Sequence, residues 1–205
     1  RTCYMDTYET QYDLDIDRGN AWNISDVDPD QVLKFTDNYP LRRPVIKSLL
    51  LRGVDETMVG SFFNAPLSLL SDPFVLPDMQ KAVDRIWRAI EQGEKIFVHG
   101  DYDTDGVTSS VLLEWVLSSY GAQSEVFVSN RMEDGYGPTG ATVTKLHAQG
   151  ANLIISTDCG VTSFEACIKA KELGIDMIIT DHHNPGVNLP DAYAIVNPRL
   201  KQELM

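Results

Sequence analysis

Cysteine is scarce in this chain of 205 residues, where Cys3, Cys159 and Cys167 are the only ones. An odd count without CxxC spacing excludes a disulfide framework and a zinc knuckle, and leaves reduced thiols. Long apolar runs are absent as well. Nothing approaches the roughly 20 consecutive apolar residues that cross a bilayer, and Arg1-Thr2-Cys3-Tyr4-Met5-Asp6 lacks the apolar stretch of a secretory leader. The expectation is a cytoplasmic setting with no membrane partner. Positive charge is also in short supply, with 17 Lys+Arg against 30 Asp+Glu and a net charge of -13. That sign is wrong for a protein that grips a polyanion by charge alone. It leaves room for a protein that meets a polyanion through bound divalent cations, which reverse the local potential. The chain opens on Arg1 and stops after Leu204-Met205, so it reads as a fragment, with any basic gripping surface outside it.

What is present is patterned. With 43% hydrophobic residues the chain can bury one good core. Residues 1–25 form an acidic N-terminal segment of open role, including Tyr12-Asp13-Leu14-Asp15-Ile16-Asp17. Short helical patterns at 29–39, at 44–52 with proline in the first turn, and at 56–63 after an Asp55 cap predict a helical prologue over 26–75. A connector, Ser71-Asp72-Pro73-Phe74-Val75-Leu76-Pro77, leads to an amphipathic helix with Met79, Val83, Ile86 and Ile90 as its buried stripe. From Lys95 the pattern alternates. Apolar runs at Ile96-Phe97-Val98, Glu125-Val126-Phe127-Val128, Leu153-Ile154-Ile155 and Met177-Ile178-Ile179 are separated by helical segments. Strand-helix repetition predicts an α/β domain over 76–205, with a parallel sheet and helices on both faces. Val111, Leu112, Trp115 and Val116 mark the apolar face of the first intervening helix. The helix after the third run starts on a Thr162-x-x-Glu165 capping box and stops at Gly174.

In an open parallel sheet, ligands bind at the carboxyl ends of the strands. Three of the four runs lead into potential metal ligands: His99-Gly100-Asp101-Tyr102-Asp103-Thr104-Asp105-Gly106, Thr157-Asp158-Cys159-Gly160 and Thr180-Asp181-His182-His183. Crowded carboxylates repel one another and lose hydration, a conflict that divalent cations remove. Carboxylate oxygens with one or two imidazoles suit Mn²⁺ or Mg²⁺. Two ions sharing a carboxylate would activate water and neutralise a phosphoryl transition state. A calcium loop is excluded, since position 12 counted from Asp101 is Leu112 and not glutamate. Asp13, Asp15 and Asp17 repeat the carboxylate spacing without the glycine or the strand-helix unit, and read as surface charge. Cys159 has no basic neighbour in sequence and reads as a buried residue, not a nucleophile. His147 reads as a surface residue. Past the second run, Arg131 is a candidate for pairing with phosphate and Tyr136 for stacking on a base or sugar.

These motifs, together with Asp72-Pro73-Phe74-x-Leu76-Pro77-Asp78-Met79 and Ala194-Ile195-Val196-Asn197-Pro198, resemble those of the RecJ-like exonucleases of the DHH phosphoesterase superfamily over residues 60 to 200. The resemblance implies a single-strand-specific DNA exonuclease that works from the 5′ end with two ions, Mn²⁺ or Mg²⁺. It implies single-stranded DNA as substrate, with DNA repair or replication proteins as candidate partners. By motif position, Asp103 and Asp105 would bind different ions, Asp158 would bridge them and His182 would bind the second. Either His99 or Asp101 would complete the first ion's shell. Asp181 would orient an imidazole, His183 would lie near the scissile phosphate, and Asn130, Arg131 and Tyr136 would contact substrate. The superfamily pattern puts one more metal-binding aspartate and a second catalytic domain past Met205, so weak activity is expected of these residues alone. Thr104, where alanine is commoner, and Asn184, where glutamate or another polar residue is usual, depart from the pattern without removing a ligand. Two competing functions are a phosphodiesterase of the superfamily acting on shorter nucleotides or pyrophosphate, and a non-catalytic scaffold with decayed ligands.

Overall fold

The computed structural model describes residues 26–129 and 137–200. The chain divides into two compact units, the first ending at Leu70 and the second starting at Ser71.

The first unit holds three helices, α1 (Pro29–Asn38), α2 (Arg43–Leu51) and α3 (Val59–Phe63). Asp28 starts α1 by accepting the Asp30 N–H at 3.0 Å, and prolines stand in the first turns of α1 and α2, where no amide bond is lost. Val32, Phe35, Ile46, Leu49, Val54 and Val59 form its core. The third helix starts later than the sequence pattern suggests. Asp55 Oδ1 instead accepts the Thr57 and Met58 amides at 2.8 and 3.2 Å, closing a turn that precedes the helix.

The second unit begins with α4 (Met79–Gln92) and continues as β1 (Lys95–Gly100), α5 (Thr104–Ser119), β2 (Gln123–Val128), α6 (Gly140–Ala148), β3 (Leu153–Thr157), α7 (Phe164–Glu172), β4 (Asp176–Thr180) and β5 (Ala194–Val196). All pairings are parallel, in the order β2-β1-β3-β4-β5. Period-2 alternation divides the strands between two cores. Phe97, Ile154, Met177, Ile179 and Ile195 face α6 and α7, while Ile96, Val98, Leu153, Ile155 and Ile178 face α4 and α5. Helices therefore cover both faces, as the sequence predicts. Each fully buried strand Ile or Leu contributes about 1.5–3 kcal/mol. At the amino end of the sheet, buried Arg85 of α4 donates to Glu94 and to Asp176, both at 2.6 Å, tying the helix to the entries of β1 and β4.

Four expectations need correction. The stripe Met79, Val83, Ile86 and Ile90 is only half-buried, although Met79, Ile86 and Ile90 pack against the sheet core, and the buried positions of α4 are Ala82, Arg85 and Ala89. On α5, Val111, Leu112, Trp115 and Val116 are exposed, Trp115 at 73%, and Gly106, Ser110 and Leu117 face inward. The cause is a close backbone approach: a Cβ on Gly106 would lie 2.5 Å from the Asp101 carbonyl oxygen, and one on Gly100 would lie 2.0 Å from Ser110 Oγ. Small residues must therefore turn toward the sheet, which rotates the aliphatic face outward. Ser163, without a side-chain bond, stands at the N-cap of α7, so Thr162 and Glu165 form no capping box. Finally, Ala194–Val196 is a fifth strand, too short to give a periodic signal.

Candidate metal centre

The strand order reverses between β1 and β3, and a crevice opens outside the carboxyl ends of strands at such a point. Asp101 follows β1, is buried, and accepts the Tyr102 N–H at 2.8 Å. Asp103 caps α5, accepting the Gly106 N–H at 2.9 Å. That bond holds its carboxyl below the usual carboxylate range, against a smaller opposing effect of burial. Asp105 lies in the first turn of α5 and lines a cavity of about 440 Å³ with Asp158, Thr180, Asp181 and His182.

Asp158 follows β3 in the left-handed region at φ 62°, an arrangement that costs a non-glycine residue on the order of 1 kcal/mol. Its neighbours hold it there. The Asp158 N–H donates to the Thr180 carbonyl at 3.0 Å, and Ser156 Oγ donates to the Cys159 carbonyl at 2.8 Å. Burial first, and the facing Asp103 carboxylate second, push the Asp158 carboxyl up. The Asp158 Oδ1 lies 2.9 Å from His182 Nε2.

Asp181, after β4, is buried but fully engaged. Its Oδ1 accepts from the His182 and His183 amides at 2.7 and 2.9 Å and from His183 Nδ1 at 2.8 Å, and its Oδ2 accepts the Val161 N–H at 3.0 Å. Burial is the largest single influence on this carboxyl and pushes it up, yet the four donors together hold it below the usual range. The reciprocal bond to Asp181, ahead of opposing burial, raises His183. Ligand atoms of Asp158, His182 and His183 all lie within 4.8 Å of one another. Oxygen and imidazole donors around a raised carboxyl, with a second carboxylate beside it, make a place that a hard divalent cation would relieve.

His99 sits differently. Its ring is fully buried, with Nε2 at 3.2 Å from Ser129 Oγ, Nδ1 at 3.8 Å from Cys159 Sγ, and the Phe127 ring 5.4 Å away. Asp101, Asp103 and Asp105 are at the crevice but outside the three-residue set. Cys159 is fully buried and its thiol pushed up by that burial, while His147 is exposed on α6. Asn130, Arg131 and Tyr136 lie outside the described residues, as do Asp13, Asp15 and Asp17. Just past β5, Asn197 belongs to a motif that the sequence gives no role, and Arg199 lies outside any motif singled out above. The Asn197 Nδ2 donates to the His183 carbonyl at 3.0 Å, and the Arg199 Nε to the His182 carbonyl at 2.6 Å. The available signal was the one that found the aspartates, a polar residue directly after an apolar run.

The N-terminal domain of the DHH family matches residues 95–203, a little more than half of the chain. The chain belongs to the DHH family. Among similar DHH proteins, the single-stranded-DNA-specific exonuclease RecJ of Bacillus subtilis is 40% identical over 180 residues, which are 87% of this chain and 23% of that protein. RecJ of Escherichia coli is 43% identical over 127 residues, 62% of this chain and 22% of that protein. A solved structure of exonuclease RecJ bound to manganese is 36% identical with a TM-score of 0.60, covering 68% of this chain and 35% of that one. The RecJ complex with Mn²⁺ from Thermus thermophilus is 27% identical with a TM-score of 0.64, covering 89% of this chain and 26% of that one. This DHH chain thus spans about a quarter of the length of the relatives it matches.

Proposed function

We propose that this chain carries the ion-binding edge of a phosphodiesterase that degrades single-stranded DNA from its 5′ end with two divalent ions, Mn²⁺ or Mg²⁺. The observation that carries the reading is the convergence of Asp158, His182 and His183 within 4.8 Å, with the Asp103 carboxylate facing Asp158. Relatives that are RecJ exonucleases support the substrate class. Asp103 and Asp105 would serve different ions, Asp158 both, and His182 the second. Asp101 is favoured over His99 for the first ion, because Ser129 and Cys159 already face the two nitrogens of the buried His99 ring.

Divalent ions held there would supply charge for the phosphoryl oxygens and a bound water acidic enough to act near neutral pH. The remaining work falls to side chains. Asp181 fixes one tautomer and one direction of His183 through Nδ1. His183, oriented by that bond, would lie beside the scissile phosphate. Asn130, Arg131 and Tyr136 would contact the nucleotide, a reading supported by their position just past β2. Reduced, buried Cys159 and Cys167 favour a cytoplasmic setting, where DNA repair or replication proteins would be the partners.

The test is Mn²⁺-dependent digestion of 5′- and 3′-labelled single and double strands by a polypeptide of the relatives' length that contains these residues. Loss of nucleotides from the 5′ end of single strands is expected. Equal attack on duplexes, attack on dinucleotides alone, or tight DNA binding without cleavage would overturn the reading. In that assay Arg131→Ala should weaken substrate binding by about 1.5–3 kcal/mol with Mn²⁺ affinity unchanged, as for one charge-assisted contact.

A further inference from the structure

The imidazoles of His182 and His183 are poorly held by packing, since their side chains are 57% and 48% exposed. The stretch between β4 and β5 that carries them is irregular, so no helix or sheet ladder sets its dihedral angles. Their backbone is nevertheless bonded from two directions. On one side the Asp181 carboxylate accepts both histidine amides. On the other, residues just past β5 meet the carbonyls. Fully buried Asn197 donates Nδ2 to the His183 oxygen, and its own Oδ1 accepts the Arg199 N–H at 2.8 Å. Arg199 donates Nε to the His182 oxygen, and the Asp181 N–H donates to the Val196 oxygen at 3.1 Å. The backbone of Asp181-His182-His183 is thus bonded at three points to residues 196–199. A planar peptide cannot turn without carrying both flanking Cα atoms, so a fixed carbonyl fixes the direction in which each histidine leaves the chain.

We infer that Asn197 and Arg199 are positioning residues for the metal centre, which aim His182 and His183 at Asp158 by clamping their backbone carbonyls. Neither residue would touch an ion, since each spends its donor on a backbone carbonyl. The inference rests on the metal-dependent reading proposed above, but the clamp itself is a property of the polypeptide. Arginine suits this contact where lysine does not, because lysine has no Nε–H on a rigid plane and would reach the carbonyl only by fixing a longer, freer chain. Asparagine is equally specific, because aspartate keeps the acceptor for the Arg199 amide and loses the donor to His183.

Within a polypeptide of the relatives' length that contains these residues, the experiment compares the parent with Asn197→Asp, Arg199→Ala and Arg199→Lys. It measures Mn²⁺ affinity by calorimetry, amide exchange at residues 181–184 without metal, and the metal-free melting temperature. Expected are Mn²⁺ affinities weaker by roughly tenfold for Asn197→Asp, at the low end of the range for residues that orient metal ligands, and by about three- to tenfold, below that range, for both Arg199 variants because Arg199 is exposed. Exchange at 181–184 should quicken in all three. The exposed Arg199 keeps the test sound if Asn197→Asp folds badly, since Arg199→Ala should melt close to the parent while still losing affinity. Variants within twofold of the parent in both affinity and exchange would overturn the inference and leave the functional reading standing. A parent that binds no Mn²⁺, with variants that exchange faster, would uphold the clamp and overturn the functional reading.

Discussion

The two ends of the sheet bring charge together in opposite ways. At the amino end, Arg85 lies between Glu94 and Asp176, so the polypeptide supplies its own cation. At the carboxyl end, Asp101, Asp103, Asp158 and Asp181 gather with two half-exposed imidazoles, and among the described residues the only guanidinium bonded there, that of Arg199, is spent on a backbone carbonyl. The same fold tolerates both, but for different reasons. Arg85 keeps its charge despite burial, which opposes it most strongly, because its hydrogen bonds to both carboxylates and their negative charge together outweigh that cost. Asp158 has only an exposed imidazole, that of His182 at 2.9 Å, as its close partner, and burial and Asp103 outweigh it and push the carboxyl toward its neutral form. A cluster that holds its own strong cation is a structural joint, whereas one that lacks it is a site that a divalent ion would finish.

The largest test of this contrast removes one group from each end. Asp158→Ala should weaken Mn²⁺ binding by well over 100-fold, beyond the 10–100-fold typical of residues outside the coordination shell, and abolish Mn²⁺-dependent hydrolysis. Its metal-free melting temperature should fall little, since relief of the repulsion from Asp103 offsets the lost His182 contact and the strain of alanine at a positive φ. A variant that keeps parental Mn²⁺ affinity would remove Asp158 from the centre. Arg85→Met should do the reverse. Leaving Glu94 and Asp176 without their cation should destabilise by about 2–4 kcal/mol, at the lower side of the range for broken buried pairs because the Asp176 side chain is 41% exposed. Chemical denaturation measures it, and Mn²⁺ affinity should stay within twofold.

These two ends were not equally legible in the sequence. Carboxylates after apolar runs are a local pattern, so Asp101, Asp103, Asp158, Asp181 and the histidine pair stood out, and the strand alternation that aligns them was equally local. Partners far apart in sequence were not. Arg85 and Asp176 are 91 positions apart, and Asn197 reaches back 14 positions to His183. The outward turn of α5 escaped for a related reason. Its face is set by backbone contacts of Gly100 and Gly106, and an apolar helical stripe looks the same whichever side it shows. His99 shows that identity at a motif position does not reveal which neighbours its nitrogens meet.

A smaller effect should separate the ends by pH. His183 is raised by its bond to Asp181, so it adds stability below the ordinary histidine value of 6.5 that is lost as pH rises through its folded value. Asp181 is held low by its four donors against burial, so its share is present above the ordinary value of 3.8 and lost as pH falls through its lower folded value. Asp158, raised, works the other way and costs stability once pH passes 3.8. Metal-free protein should therefore be more stable at pH 5–6 than at pH 8, by under about 1 kcal/mol given the exposure of His183. Thermal melts in chelator across that range measure the slope, and His183→Gln should flatten it. Arg85→Met should leave the slope intact, so a flattened profile in that variant would break the proposed separation.

The smallest expected effect concerns the two buried thiols. Cys159 lies against the carboxylate end, where burial first and then Asp101 and Asp181 push its thiol up. Cys167 lies on the buried face of α7, where burial is the leading cause and the thiol is pushed up to about 11. The thiolate is the form that attacks a disulfide reagent and displaces its leaving thiolate, so at pH 8 native protein should show almost no modification at either position. Peptide mass spectrometry after a timed pulse of reagent resolves the two, and denaturant should release both to full reaction. Mn²⁺ bound at the carboxylate end would offset the acidic neighbours of Cys159 but not its burial, so the cation should leave Cys159 protected and Cys167 unchanged. Modification of Cys159 in the native state at the denatured rate would mean that the floor of the crevice opens. The carboxylates would then be hydrated, and the crowding that calls for an ion would be far weaker than its geometry implies.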